Sequence, residues 1–301
     1  MATKIEWTDE TWNPFHGCDP ISPGCANCYA RTMAKRQAAM GTPGYDPEDP
    51  FRVTLAENKL HLPLRWRKPR KIFIGSMGDL FHEEVPFAFI EKVWDIFFDC
   101  GAVWPAGSAN HIFQVLTKRP ERLLAFARWM NGRGRRIDYP NVWMGVTAEN
   151  QEWADKRIPV LLQVPAAVRF VSYEPALGPI KLPFGWNGAR RMPDGLNYYW
   201  TQPFIDWFIA GAESGPDARP AHPDWFRSAR DQCAAAGVPF FFKSWGTWLP
   251  DMDCTQRVMY PNRGCWTMED PPMNFIRRGK EMPGDLLDGQ LHKEFPKVVN
   301  S

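Results

Sequence analysis

The stretch Ile112-Phe-Gln-Val-Leu-Thr117-Lys118-Arg119-Pro120-Glu-Arg-Leu-Leu-Ala-Phe-Ala-Arg-Trp-Met130, followed after a short gap by Val142-Trp-Met-Gly-Val-Thr147, sets the architecture. Two apolar runs flank a segment that opens with proline in a first helical turn. Runs that are apolar almost throughout suit strands buried on both faces, as in a parallel sheet whose helices cross over between neighbours.

The same rhythm recurs along the chain. Strands are predicted at Lys71–Gly75, Val168–Tyr173, Ile205–Ala210 and Val238–Lys243, with an earlier one at Thr11–Gly17 that Pro14 weakens. Helices are predicted at Ala26–Met40, Pro86–Asp99, Glu149–Gln163 and Pro223–Ala236. Successive runs stand about 25 to 40 residues apart, the spacing of repeated βα units. The prediction is an α/β fold: a full or partial (β/α) barrel of six to seven parallel strands over residues 1–248, with a doubly wound open sheet as the alternative. Two regions break the rhythm. Residues 41–69 read as a long connection, and 179–203 as an insertion or lid. Residues 249–301 show little periodicity and read as an irregular extension packed on the barrel.

Composition narrows the function classes. Of 301 residues, 44% are hydrophobic and 23% charged, which excludes wholesale disorder. With 36 Lys and Arg against 34 Asp and Glu, the net charge of +2 excludes a strongly basic nucleic-acid scaffold. No apolar run reaches the roughly 20 residues that span a bilayer. Glu6, Asp9 and Glu10 stand where a signal peptide needs apolar residues, so a cytoplasmic protein without membrane attachment is expected. The 7 cysteines are an odd number, which disfavours a paired secreted framework.

Three of them cluster in His16-Gly-Cys18-Asp-Pro-Ile-Ser-Pro-Gly-Cys25-Ala-Asn-Cys28-Tyr29, a C-x6-C-x2-C spacing. The segment ends at a predicted helix start, where backbone N–H groups favour thiolate over thiol. A structural zinc would take four ligands, with His16 as the fourth. A [4Fe–4S] cluster held by three cysteines would keep one iron open to an exogenous ligand. Three unrelated buried thiols are the third reading. Cys100 reads as core, while Cys233, Cys254 and Cys265 read as isolated thiols, with a second metal as the other possibility.

The chain resembles a radical S-adenosylmethionine (SAM) enzyme in its three-cysteine loop, which follows a first strand and opens a helix. More widely it resembles the phage-associated three-cysteine protein family, radical-SAM-like relatives of spore photoproduct lyase. The resemblance is carried by WTDETWNPFHGC, CANCYARTMAKR, IFIGSMGDLFHEEVP, FQVLTKRPERL, VWMGVTAENQ, RFVSYEPALGPI, AGAESGP and PFFFKSWG, from Glu6 to about Trp248. The usual radical-SAM spacing is C-x3-C-x2-C with an aromatic residue before the last cysteine. Here Asn27 holds that place and Tyr29 follows the last cysteine. The resemblance implies a [4Fe–4S] cluster on Cys18, Cys25 and Cys28, S-adenosylmethionine as cofactor, and an electron donor such as a flavodoxin or ferredoxin.

Chemistry in a parallel barrel gathers where strands end. The predicted strands end in Gly75-Ser76-Met77-Gly78-Asp79, Thr117-Lys118-Arg119, Thr147-Ala148-Glu149, Ser172-Tyr173-Glu174 and Ala212-Glu213. By resemblance, Gly75, Ser76, Met77 and Asp79 would meet the amine of S-adenosylmethionine. Lys118 and Arg119 would neutralise its carboxylate, Glu149 and Glu174 would hold ribose hydroxyls or the sulfonium face, and Tyr29 would join this cofactor site. Ordinary helix caps and rim ion pairs are the bland alternative. Glu174 and Glu213 also suit the acid and base of a barrel hydrolase, while His82 and His222 read as surface groups. Basic runs at Arg65–Lys71, Gly132–Arg136, Ala189–Arg191 and Arg277–Lys280, interleaved with aromatics, fit a groove for DNA or RNA. The expected function is thus a radical-SAM enzyme acting on a nucleic acid or nucleotide. A zinc-stapled nucleic-acid-binding protein without catalysis is the rival.

Overall fold

A computed structural model describes residues 3, 5–101, 110–183, 190–191, 197–198, 205–251, 265–269, 272–278 and 284–297. Its main sheet holds seven parallel strands: β1 (Glu10–Trp12), β2 (Lys71–Ile74), β3 (Ile112–Thr117), β4 (Val142–Thr147), β5 (Val168–Tyr173), β6 (Trp207–Ala210) and β7 (Phe240–Phe242). They stand side by side in chain order. A doubly wound sheet must reverse its order at a switch point; this one never does. The fold is the partial (β/α) barrel of the predicted alternatives. Among the described residues, five helices lie between successive strands: α1 (Tyr29–Ala39), α2 (Phe87–Asp99), α3 (Pro120–Asn131), α4 (Gln151–Leu161) and α5 (Pro223–Ala236).

The chain divides into two compact units, one comprising Met1–Ala148 and Asp155–Ser172, the other Glu149–Ala154 and Tyr173–Ser301. In the first unit, β4 is buried at every position, as its unbroken apolar run requires. Gly145 in β4 lies opposite Phe170 of β5, and a side chain there would meet the Phe170 ring at 2.4 Å, so the ring fills the space glycine leaves. Helix α2 turns Phe89, Ile90, Val93, Trp94 and Phe97 inward. The Trp94 ring packs 4.9 Å from both Phe97 and Phe126, and its indole N–H donates to the Ile137 carbonyl (3.2 Å).

In the second unit, α5 opens at Pro223, with His222 Nδ1 accepting from the Asp224 N–H (3.2 Å), and stops at Gly237. Phe226 of α5 packs against Phe242 and Trp245, at 5.1 and 5.2 Å. Strand β7 would be a bare edge, but the chain returns antiparallel along it. The Phe242 N–H donates to the His292 carbonyl (2.8 Å), and the Glu294 N–H donates to the Phe240 carbonyl (3.3 Å). Trp207 fastens this strap through an indole N–H to the Glu294 carbonyl (2.8 Å) and a stacked Phe295. Beyond it, Trp248–Pro250, Cys265–Met268 and Met273–Arg277 form a small antiparallel sheet inside the tail whose sequence is aperiodic.

Most predicted limits move by one or two residues, and the larger differences flank the cysteine loop. The predicted strand Thr11–Gly17 breaks at Asn13-Pro14, because proline has no N–H for the ladder. Residues Glu10–Trp12 pair with β2, whereas Phe15–His16 pair antiparallel with Thr54–Leu55 in the long connection. Helix α1 starts at Tyr29 rather than Ala26, because Ala26 closes a separate 3₁₀ turn at Pro23–Cys25 and Cys28 turns extended (ψ 117°) before the helix begins. The predicted insertion at 179–203 lies largely outside the described residues, as does Cys254.

Replacing Gly145 by Ala overpacks a closed interior and should destabilise the protein by about 1–3 kcal/mol, read as a lower denaturation midpoint.

Candidate functional site: the cysteine loop and the strand ends

The loop from Gly17 to Cys28 is fastened to the turn after β2. The Gly17 N–H donates to the Met77 carbonyl (2.9 Å), and Gly17 pairs with Gly78 in a short parallel bridge. At Gly17, with φ +92°, a Cβ would fall 2.0 Å from the Arg52 carbonyl oxygen; at Gly78 it would fall 2.6 Å from the Gly17 oxygen. Only glycine lets the backbones approach this closely. Asn13, freed by the break after β1, accepts from the Ser76 hydroxyl and the Met77 N–H, both at 3.2 Å. From the far side of the loop, the exposed Tyr29 hydroxyl donates to the Ser76 carbonyl. Gly75, Ser76, Met77 and Tyr29 are therefore brought together beside the cysteines, all part-exposed or exposed.

Asp79 turns inward. One carboxylate oxygen accepts from the Thr117 hydroxyl (2.7 Å) and the Phe81 N–H (3.0 Å); the other accepts from the Lys118 N–H (3.0 Å) and faces Arg119 Nη1 (3.4 Å). Four donors from its own turn and the end of β3 engage a buried carboxylate, which makes it a fastener between two strand ends. Arg119 is buried too and points at the cysteine loop: Nη1 lies 3.3 Å from Cys18 Sγ, and Nη2 donates to the Asp19 carbonyl (3.3 Å). Lys118 reaches Ser22 Oγ (3.5 Å), itself 3.7 Å from Cys25 Sγ.

These surroundings split the thiols. Burial and the Asp79 carboxylate push Cys18 up to about 11, against the opposing pull of Arg119. Burial also raises Cys25, but the Lys118 ammonium and hydrogen bonds from Ile21 and Ser22 outweigh it, and Cys25 sits below the ordinary thiol value. All three cysteines are free. His16 is spent elsewhere: Nε2 bonds the Gly44 carbonyl (2.8 Å) and the ring stacks on Tyr45 at 4.2 Å.

His82 and His222, read from sequence as surface groups, are buried. His82 Nδ1 accepts from the Glu84 N–H, so Nε2 donates to Asp19 Oδ2, both at 3.2 Å. This contact ties the segment after Asp79 to the cysteine loop. The sequence offered no local signal for it, because 63 residues separate the partners. Cys100 and Cys233 are core thiols.

In the second unit, Glu149 and Glu174 stand at the ends of β4 and β5. Glu149 is fully buried. Glu174 pairs with Lys243 (2.8 Å), and Glu213 receives the Arg219 guanidinium on both oxygens, at 2.6 and 2.8 Å. Two basic runs of the first unit lie where strands begin: Arg65–Lys71 leads into β2, and Gly132–Arg136 precedes β4. Their arginines are largely engaged, Arg70 with Glu10 (2.9 Å), Arg135 with Glu91 (2.7 Å) and Arg136 with Asp138 (2.8 Å).

Two outcomes follow. Asp79→Ala strands a buried Arg119 and should cost about 3 kcal/mol, measured by chemical denaturation. In the metal-free protein, iodoacetamide at about pH 8 should label Cys25 before Cys18. The lowered Cys25 and raised Cys18 leave Cys25 with the larger thiolate fraction at that pH. Peptide mapping should therefore show Cys25 modified first, and equal labelling of the two would contradict the split.

Comparison with known proteins adds a family but no activity. No curated protein matches the sequence. A solved structure described as "Spore photoproduct lyase complexed with dinucleoside spore photoproduct" is similar at 10% sequence identity and a TM-score of 0.38, over 89% of this chain and 68% of that one. A likeness of that size assigns nothing to this protein. A family model matches residues 2–296, nearly the whole length, and the chain belongs to that family, described as "Protein of unknown function (DUF5131)".

Proposed function

We propose that the protein is a radical S-adenosylmethionine enzyme in which Cys18, Cys25 and Cys28 hold a [4Fe–4S] cluster. The observation that carries this reading is the clasped loop: three free thiols in one segment, pinned by Gly17 and Gly78 to the end of a parallel strand. The donor set fits such a cluster, which places each thiolate on a separate iron. The fourth ligand a structural zinc would need is otherwise engaged, because His16 Nε2 is bound to the Gly44 carbonyl. Bound with S-adenosylmethionine, the cluster would supply one-electron cleavage of the sulfonium and a 5′-deoxyadenosyl radical that takes hydrogen from substrate.

The chain's own residues have simpler tasks. Gly75, Ser76 and Met77 present backbone groups beside the loop, and Tyr29 closes over Ser76. Asp79 fixes the β2 and β3 ends relative to each other and has no oxygen free of internal donors. Glu149 and Glu174 remain the proposed cofactor carboxylates of the second unit. The hydrolase reading is disfavoured, since Glu174 is paired with Lys243 and both oxygens of Glu213 are taken by the Arg219 guanidinium. A nucleotide or nucleic acid is the proposed substrate class, and a flavodoxin- or ferredoxin-type protein the proposed electron donor. Among the described residues, no helix is long and apolar enough to cross a membrane.

Anaerobic reconstitution tests the proposal. The protein should take up about four iron and about four sulfide per chain, and Cys28→Ala should lose them. Reduced with dithionite, the loaded protein should convert S-adenosylmethionine to 5′-deoxyadenosine. Stoichiometric zinc without sulfide uptake would sink the reading.

A further inference from the structure

We infer that Lys118 and Arg119, consecutive at the end of β3, are positioning residues that clamp the cysteine loop and stabilise the reduced state of its cluster. The inference rests on the cluster reading above.

The two side chains reach different parts of one loop. Arg119 touches Cys18 Sγ (3.3 Å) and the Asp19 carbonyl (3.3 Å), while Lys118 reaches Ser22 Oγ (3.5 Å) on the Cys25 side. Their shared base is rigid, because Asp79 accepts from the Thr117 hydroxyl, the Lys118 N–H and the Arg119 guanidinium together. Resemblance assigned this pair to the carboxylate of S-adenosylmethionine. The geometry gives it another object, since Arg119 is buried and engaged on three sides.

The electrostatics follow from that placement. Thiolates make a cluster site anionic, and an added electron makes it more so. Two cations beside the ligands favour the reduced form, and N–H donors aimed at a ligand sulfur act in the same direction. Outer partners of this kind typically matter about tenfold or more for metal retention.

The test uses the anaerobically reconstituted full chain without S-adenosylmethionine. Lys118→Gln, Lys118→Arg and Arg119→Gln are compared with the wild type by redox titration followed by electron paramagnetic resonance, and by iron release to a ferrous chelator. Lys118→Gln and Arg119→Gln should shift the midpoint potential downward and speed iron release about tenfold, and Lys118→Arg should restore both. Arg119→Gln leaves Asp79 uncompensated and risks misfolding, so the part-exposed Lys118 carries the decision. A Lys118→Gln protein with wild-type potential and wild-type iron release overturns the inference. So does one whose only defect is weaker S-adenosylmethionine binding, which would return the residue to the cofactor carboxylate. Wild-type protein that takes up no iron and sulfide overturns the cluster reading itself, and is told apart because the defect precedes any substitution.

Discussion

The backbone of Gly17 lies against the carbonyl of Arg52 and against Gly78 at distances no side chain allows. Everything proposed for the cysteines depends on that contact. The Gly17–Cys28 excursion, rich in proline and glycine, has little hydrophobic surface with which to hold itself. Main-chain bonds from the consecutive N–H groups of Gly17 and Cys18 to the Met77 and Phe51 carbonyls anchor it instead. The thiols are thereby delivered to the end of the sheet where parallel strands present their loops.

Behind the clasp stands a polar core that a purely apolar barrel would lack. Asp79 carries its charge into the interior and is held there by four donors, with Arg119 as its counter-ion. Removing one member of such a network exposes the others to the full cost of desolvation. The same guanidinium that neutralises Asp79 also meets Cys18. Structural support and tuning of the loop therefore share one side chain, and the two roles cannot be varied independently at Arg119.

Much of the fold was legible because burial on both faces writes itself as an unbroken apolar run. Ile112–Thr117, Val142–Thr147 and Val168–Tyr173 are strands with the predicted limits, and Pro223 and Gly237 bracket α5 as expected. The misread start of α1 has a local cause: Ala26 already has helical backbone angles as the cap of the 3₁₀ turn, but Cys28 turns extended before α1 begins. The site was legible only in part. The cysteines announce themselves by spacing, and polar strand ends by their position. What Asp79, His82 and Arg119 touch is decided by partners 38 to 101 residues away, and no periodicity carries that information. Histidine burial was missed for the same reason, since His82 and His222 sit in segments polar enough to look exposed.

The strap from His292 to Glu294 bears on how this chain is made. Strand β7 finds its outer partner about fifty residues further along, so on the ribosome the emerging sheet keeps an unpaired edge until residues 292–294 have been synthesised. Unpaired edges recruit other strands. For as long as those residues are still to be added, the β7 edge stands open to strands of other chains.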